Sequence, residues 1–163
     1  MPISTQERAV VDAVAARREA LVALTSELVA FDTVTHTPGA PPRQERALQE
    51  HLAELLASHG AEVALHEPDA AALRPHPMVP GELSFDGRPQ LVARFRGSGG
   101  GRALLLNGHV DVVDVEPRSN WTQADPFAAV ARDGRLYGRG TCDMKGGVAS
   151  MVTAACALAE LGI

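Results

Sequence analysis

The sequence predicts an α/β fold in which helices pack on both sides of a layered sheet. Three observations predict it. Residues 4–30 and 42–59 carry apolar side chains at helical spacing. The run Ala103-Leu104-Leu105-Leu106 lacks polar alternation, the pattern of a strand buried on both faces and therefore flanked by helices on both. A glycine-rich turn at 138–147 then leads into a last helix rich in Ala, Val and Met.

Each element follows from its own residues. Ser4 with Glu7 three positions on forms a capping-box start for a long first helix, with Val10, Val14, Leu21, Leu24 and Leu28 inward and Arg17, Arg18 and Glu19 outward. Residues 31–42 read as a loop ending in Pro41-Pro42, which suit entry to a second helix over 42–59. That helix turns Leu48, Leu52, Leu55 and Leu56 inward and places Gly60 as its C-cap. Residues 61–66 read as a strand. Pro68, Pro75, Pro77, Pro80 and Pro89 then forbid long regular structure, so 67–89 is a surface excursion. Strands are expected at 91–96 and 103–107, joined by the turn 97–101. Asp133-Gly134 between two short apolar runs marks a tight hairpin. Residues 146–161 form the final helix, closing at Gly162. The sequence stops where an α/β protein would begin another strand, so a truncated chain is expected.

Composition narrows the function. The 163 residues hold 15 basic and 20 acidic side chains, a net charge of −5, without a basic face, which argues against a nucleic-acid partner. No apolar run approaches the ~20 residues that span a bilayer, and the N-terminus lacks a secretory pattern; a cytoplasmic location, off the membrane, is expected. Cys142 and Cys156 are too few for a disulfide scaffold. Lys145 is the one lysine among the basic residues, as if a point charge were required there.

Chemistry gathers at two places. After the 103–107 strand comes Asn107-Gly108-His109-Val110-Asp111-Val112-Val113, at the end of a strand where α/β sheets bind ligands. Two residues apart in extended backbone, His109 and Asp111 share a side, which suits a metal-bound imidazole whose other nitrogen donates to a carboxylate; the alternative is a core histidine beside a surface aspartate. The second place is Tyr137-Gly138-Arg139-Gly140-Thr141-Cys142-Asp143-Met144-Lys145-Gly146-Gly147. Its glycines let the backbone turn a carboxylate into a cleft, although an acidic cap before a helix would look the same. A dinucleotide fingerprint fails because position 143 is aspartate, and a phosphate loop fails on its glycine spacing. Cys142 as a nucleophile has little support, since Asp143 beside it opposes thiolate formation. His36, His51, His59, His66 and His76 read as surface or structural residues.

Together, Gly108-His109-Val110-Asp111-Val112-Val113, Trp121, Asp125-Pro126-Phe127, Asp133-Gly134-Arg135-Leu136-Tyr137-Gly138-Arg139-Gly140 and Asp143-Met144-Lys145-Gly146-Gly147 resemble, in order and spacing, the zinc-dependent deacylase and exopeptidase family of acetylornithine deacetylase, succinyl-diaminopimelate desuccinylase, carboxypeptidase G and aminoacylase. The resemblance spans about 91–162. It implies a three-layer helix-sheet-helix catalytic domain of the zinc-exopeptidase kind, incomplete here. Residues 1–163 would be its N-terminal portion, with the dimerisation or lid domain and the C-terminal half absent. It further implies His109 as a zinc ligand, Asp143 as the carboxylate bridging two zinc ions (cobalt being an alternative), Asp111 as the active-site acid orienting His109, and a cis Asp143–Met144 peptide.

The implied reaction is hydrolysis of the amide of an N-acyl amino acid or small peptide by metal-activated water, acetylornithine-deacetylase-like, in an enzyme that would be a homodimer when complete. The family's general-base glutamate and remaining ligands would lie beyond Ile163, so the chain alone is expected to be an inactive fragment with half a metal site. One departure stands out: where the family commonly has proline after His-x-Asp-Val-Val, this chain has Asp114, and its next proline is Pro117.

Overall fold

Three helices make the core because their apolar faces meet. A computed structural model describes residues 3–35, 43–79, 81 and 83–163. The first expected helix is two: α1 (Thr5–Ala15) and α2 (Arg18–Ala30). The capping box at Ser4 and Glu7 is present. The break falls at Arg17, where φ is −96° and ψ 14°; its guanidinium turns back to Ala13 O and across to Glu160 on the last helix. α3 (Glu45–Ser58) replaces the expected 42–59 helix, and Gly60, at φ +87°, follows its C-cap. The Pro41-Pro42 entry lies outside the described residues.

α3 leads to β1 (Glu62–His66), which pairs antiparallel with β2 (Gln90–Arg94), Ala64 opposite Val92. Both strands rest on α3. The excursion between them holds one short helix, α4 (Ala70–Leu73), capped by the Asp69 side chain. The Asp133-Gly134 hairpin forms as read: β3 (Val130–Arg132) and β4 (Arg135–Tyr137) flank it, with φ +52° and +72° at the two turn residues. The last helix, α5 (Lys145–Glu160), packs on α2. Leu24 and Leu28 of α2, Leu48, Leu52 and Leu56 of α3, and Val148, Ala149, Val152 and Cys156 of α5 form one buried cluster.

The α/β class and its incompleteness hold, but one element does not. Residues 103–107 are not a doubly buried strand: no ladder forms there, and Leu104 and Leu105 are 76% and 89% exposed. A strand needs neighbours for its N–H and C=O groups, and among the described residues β1 and β2 pair with each other, as do β3 and β4. The parallel contact that does form lies just beyond, as a bridge between Val34 and Val112. No described helix is long and apolar enough to cross a membrane.

Candidate metal site

That bridge holds the first half of the site. Residues 31–35, a loop in the sequence reading, lie alongside 110–112. Val112 N–H donates to Thr33 O (3.0 Å), Thr35 N–H donates to Val112 O (2.9 Å), and the buried Thr33 hydroxyl donates to Val110 O (2.6 Å). Val34 and Val112 are each 3% exposed, so the contact is closed by packing as well as by hydrogen bonds. The alternating β-branched Thr33-Val34-Thr35 was the available sign of an extended segment. The loop after it is fixed by the side chain that departs from the family: Asp114 Oδ1 accepts from the N–H groups of Val115 and Glu116. Trp121 Nε1–H donates to Val115 O, and Arg139 lies over the Trp121 ring while donating to Asp114 O.

The second half is the turn into α5. Gly140 sits at φ +85°, and a Cβ there would press to 2.7 Å from Val112 Cγ1; the turn therefore closes directly onto the bridge. Gly146 is forced in the same way, since a Cβ would collide with Thr141 O. Lys145 N–H donates to Gly140 O (2.8 Å), and the Asp143–Met144 peptide is cis.

Lys145 itself is fully buried, and its ammonium donates to Phe31 O (2.7 Å), the C-cap carbonyl of α2. A cation at a helix C-terminus is favoured by the dipole there. Desolvation nevertheless pushes its pKa down to about 8, against the pull of Asp32. The point charge expected at 145 is thus part of the packing between α2 and α5, which the sequence did not reveal.

These two halves bring His109, Asp111 and Asp143 together. His109 Nε2 lies 2.9 Å from Asp143 Oδ1, across 34 residues of sequence. Its Nδ1 lies 3.0 Å from Asp111 O and 3.1 Å from Asp111 Oδ1. The helix-cap explanation of Asp143 does not apply, because Met144 occupies the N-cap and the Asp143 carboxylate turns to His109. Partial desolvation of the imidazole disfavours its charged form, but the Asp111 carbonyl and carboxylate and the Asp143 carboxylate outweigh it and raise the His109 pKa.

All three side chains open to solvent. The histidines set aside in the sequence lie elsewhere: His51 pairs with Glu27 and meets the Phe31 ring, and His59 faces Leu55 O and Glu160. His66 is in β1 and His76 is exposed; His36 lies outside the described residues. Cys142 is exposed and Cys156 buried. An open groove of about 410 Å³ beside α2 is lined by Leu21, Thr25, Thr141, Cys142 and Ser150 among others, and by none of the three.

An imidazole nitrogen and a carboxylate oxygen 2.9 Å apart are a donor pair suited to zinc and its neighbours. The fit is partial: among the described residues no group of three or more His, Cys, Asp or Glu donors is assembled.

Comparison with known proteins shows what the chain is similar to. The chain is 37% identical over 134 residues to succinyl-diaminopimelate desuccinylase 2 of Ruegeria sp. (strain TM1040), covering 82% of this chain and 28% of that protein. It is 57% identical over 56 residues to succinyl-diaminopimelate desuccinylase of Stenotrophomonas maltophilia (strain K279a), covering 34% and 15%. Among solved structures, human carnosine dipeptidase 1 superposes with a TM-score of 0.74 at 25% identity, over 94% of this chain and 31% of that one. The di-peptidase Dug1p of Saccharomyces cerevisiae does so with a TM-score of 0.63 at 18% identity, over 93% and 30%, a likeness of fold. The chain thus spans less than a third of each of these proteins. Residues 105–163, which contain both halves of the site, match Peptidase family M20/M25/M40.

Proposed function

We propose that the chain is the N-terminal portion of the catalytic domain of a metal-dependent hydrolase that cleaves the amide of an N-acyl amino acid or small peptide. The observation that carries this reading is the 2.9 Å approach of His109 Nε2 to Asp143 Oδ1 from two separate motifs. With the imidazole protonated, Nε2–H donates to Asp143 Oδ1; a cation held by both groups would take the place of that proton. A bound zinc or cobalt ion supplies Lewis-acid polarisation of the amide carbonyl and an activated water.

The chain's own residues do the rest of what it contributes. Asp111, accepting from His109 Nδ1, fixes the tautomer that leaves Nε2 free to coordinate and strengthens it as a donor. Asp143, with two carboxylate oxygens and wide exposure, is the group suited to be shared between two ions. Two donors are fewer than the three protein ligands a catalytic zinc normally has. A general base, the remaining ligands and any dimer-forming domain would therefore belong to the part of the protein outside residues 1–163, in keeping with the 28% and 31% of the relatives that the chain covers. The likeness to succinyl-diaminopimelate desuccinylases supports an N-succinyl amino acid as a second candidate substrate beside an N-acetyl one.

The test is zinc binding by the 163-residue chain, followed by competition with a chromogenic chelator. Weak one-step binding is expected, with release of about one proton at a pH where His109 is protonated. It should fall at least about tenfold in His109→Ala and in Asp143→Asn, and no turnover of N-acetylornithine or N-succinyl-diaminopimelate is expected. Binding that ignores both substitutions would refute the metal reading; turnover by this chain would refute the partial-site reading.

A further inference from the structure

His109 Nδ1 lies 3.0 Å from the Asp111 carbonyl oxygen, its hydrogen-bond partner, and 3.1 Å from one Asp111 carboxylate oxygen, Oδ1. The other, Oδ2, accepts a hydrogen bond from the Thr35 hydroxyl at 2.9 Å. We infer that Thr35 is a positioning residue for the site: it holds the Asp111 carboxylate so that Oδ1 faces His109 Nδ1, and through it sets the direction of His109 Nε2. The inference rests on the metal reading of His109 and deepens it.

The need for such a group is physical. Asp111 is more than half exposed, 54% by its side chain, so water competes for its oxygens. A carboxylate held at one oxygen alone swings about its terminal torsion, which is broad and shallow. A second contact from a fixed donor removes that freedom. Thr35 is such a donor. Its backbone N–H is bound to Val112 O, in the bridge whose centre, Val34 and Val112, is buried. Val34 N–H is in turn held by Asp32 Oδ1 (3.1 Å). As a β-branched residue, Thr35 has few χ1 states open to it. Its hydroxyl therefore arrives from the same bridge that sets the backbone of Asp111, one residue before Val112, and the relay Thr35, Asp111, His109, Asp143 runs through contacts of 2.9, 3.1 and 2.9 Å.

A hydroxyl on this surface that merely decorates the bridge would leave the imidazole unaffected by its loss. Thr35→Val keeps the shape, the branching and the backbone bond while deleting the donor; Thr35→Ser keeps the donor. The measurements are the ¹⁵N chemical shifts of the His109 ring in chelator-treated chain, at a pH where the ring is neutral, the zinc affinity by chelator competition, and the thermal midpoint in chelator.

In the wild type and Thr35→Ser, Nδ1 should carry the proton. In Thr35→Val the two nitrogen shifts should move toward each other as the tautomers mix, and zinc affinity should fall about tenfold, the lower end for loss of an outer-shell partner, with the midpoint unchanged. Ring shifts that stay at the wild-type values in Thr35→Val would overturn the inference, as would Thr35→Ser failing to restore them. A midpoint lowered equally by both substitutions would assign Thr35 to structure alone and overturn it too. If the wild type binds no zinc, the metal reading fails by itself, while the ring shifts still decide whether Thr35 positions His109.

Discussion

Two apolar stretches of this chain, similar in composition, end in opposite environments. Leu48, Leu52 and Leu56 on α3 are 0%, 3% and 6% exposed. Leu104, Leu105 and Leu106 are 76%, 89% and 46% exposed. Hydrophobicity does not separate them; backbone hydrogen bonding does. A helix satisfies its own N–H and C=O groups, so α3 needs only apolar faces on α2 and α5, both within the chain. An extended segment satisfies half of its groups at best until another strand lies beside it, and 103–107 has none among the described residues.

The sharpest way to break this comparison is to cut the same side chain from both regions. Leu48→Ala removes a fully buried leucine from the contact of α2, α3 and α5 and should destabilise the chain by about 2–5 kcal/mol, the range for buried leucines that leave a cavity. Leu105→Ala should shift stability by no more than ~0.5 kcal/mol. Urea denaturation followed by circular dichroism measures both; equal losses would show that the two stretches are packed alike.

The core also hides a charge, and that gives a pH signature of its own. Folded Lys145 is held to a pKa of about 8, against 10.5 for the ordinary side chain. Between those values the unfolded chain binds more protons than the folded one, so this group adds stability as pH rises through the window and adds nothing further above it. The full effect is roughly 3 kcal/mol, at about 1.4 kcal/mol per pKa unit. Cys156 works in the opposite direction, because burial pushes its thiol up. The measurement is therefore the difference in urea midpoint between wild type and Lys145→Met from pH 7.5 to 10.5. The wild type should gain on the variant across that range; parallel curves would show that Lys145 is not desolvated in solution.

How much was legible in the sequence follows the same division. The helices were readable because their period, caps and C-terminal glycine are local: the Ser4–Glu7 box and Gly60 stand where the residues placed them. The Asp133-Gly134 hairpin was readable for the same reason. The break at Arg17 was not, since it depends on a reach to Glu160, 143 residues away. Of the site, the pairing of His109 with Asp111 followed from strand alternation, and their meeting with Asp143 followed from the motif resemblance. Thr33 and Thr35 escaped notice because a segment this short declares itself only through its partner, 110–112. Lys145 drew attention through its rarity, yet its partner, the Phe31 carbonyl, has no side-chain signal at all.

The smallest effect on folding should come from the substitution most drastic in chemistry. Leu105→Asp places a carboxylate on a side chain already 89% exposed. No cavity opens and no charge is buried, so the urea midpoint should move by no more than ~0.5 kcal/mol. What changes is the surface. Three consecutive exposed leucines on extended, unpaired backbone are a template for another chain to pair against, and a charge in the middle of the run opposes that pairing. Sedimentation velocity across a concentration series should show self-association in the wild type and less of it in Leu105→Asp. A variant that unfolds like Leu48→Ala would show instead that residues 103–107 are packed, and the difference between the two stretches would then lie in neither burial nor hydrogen bonding.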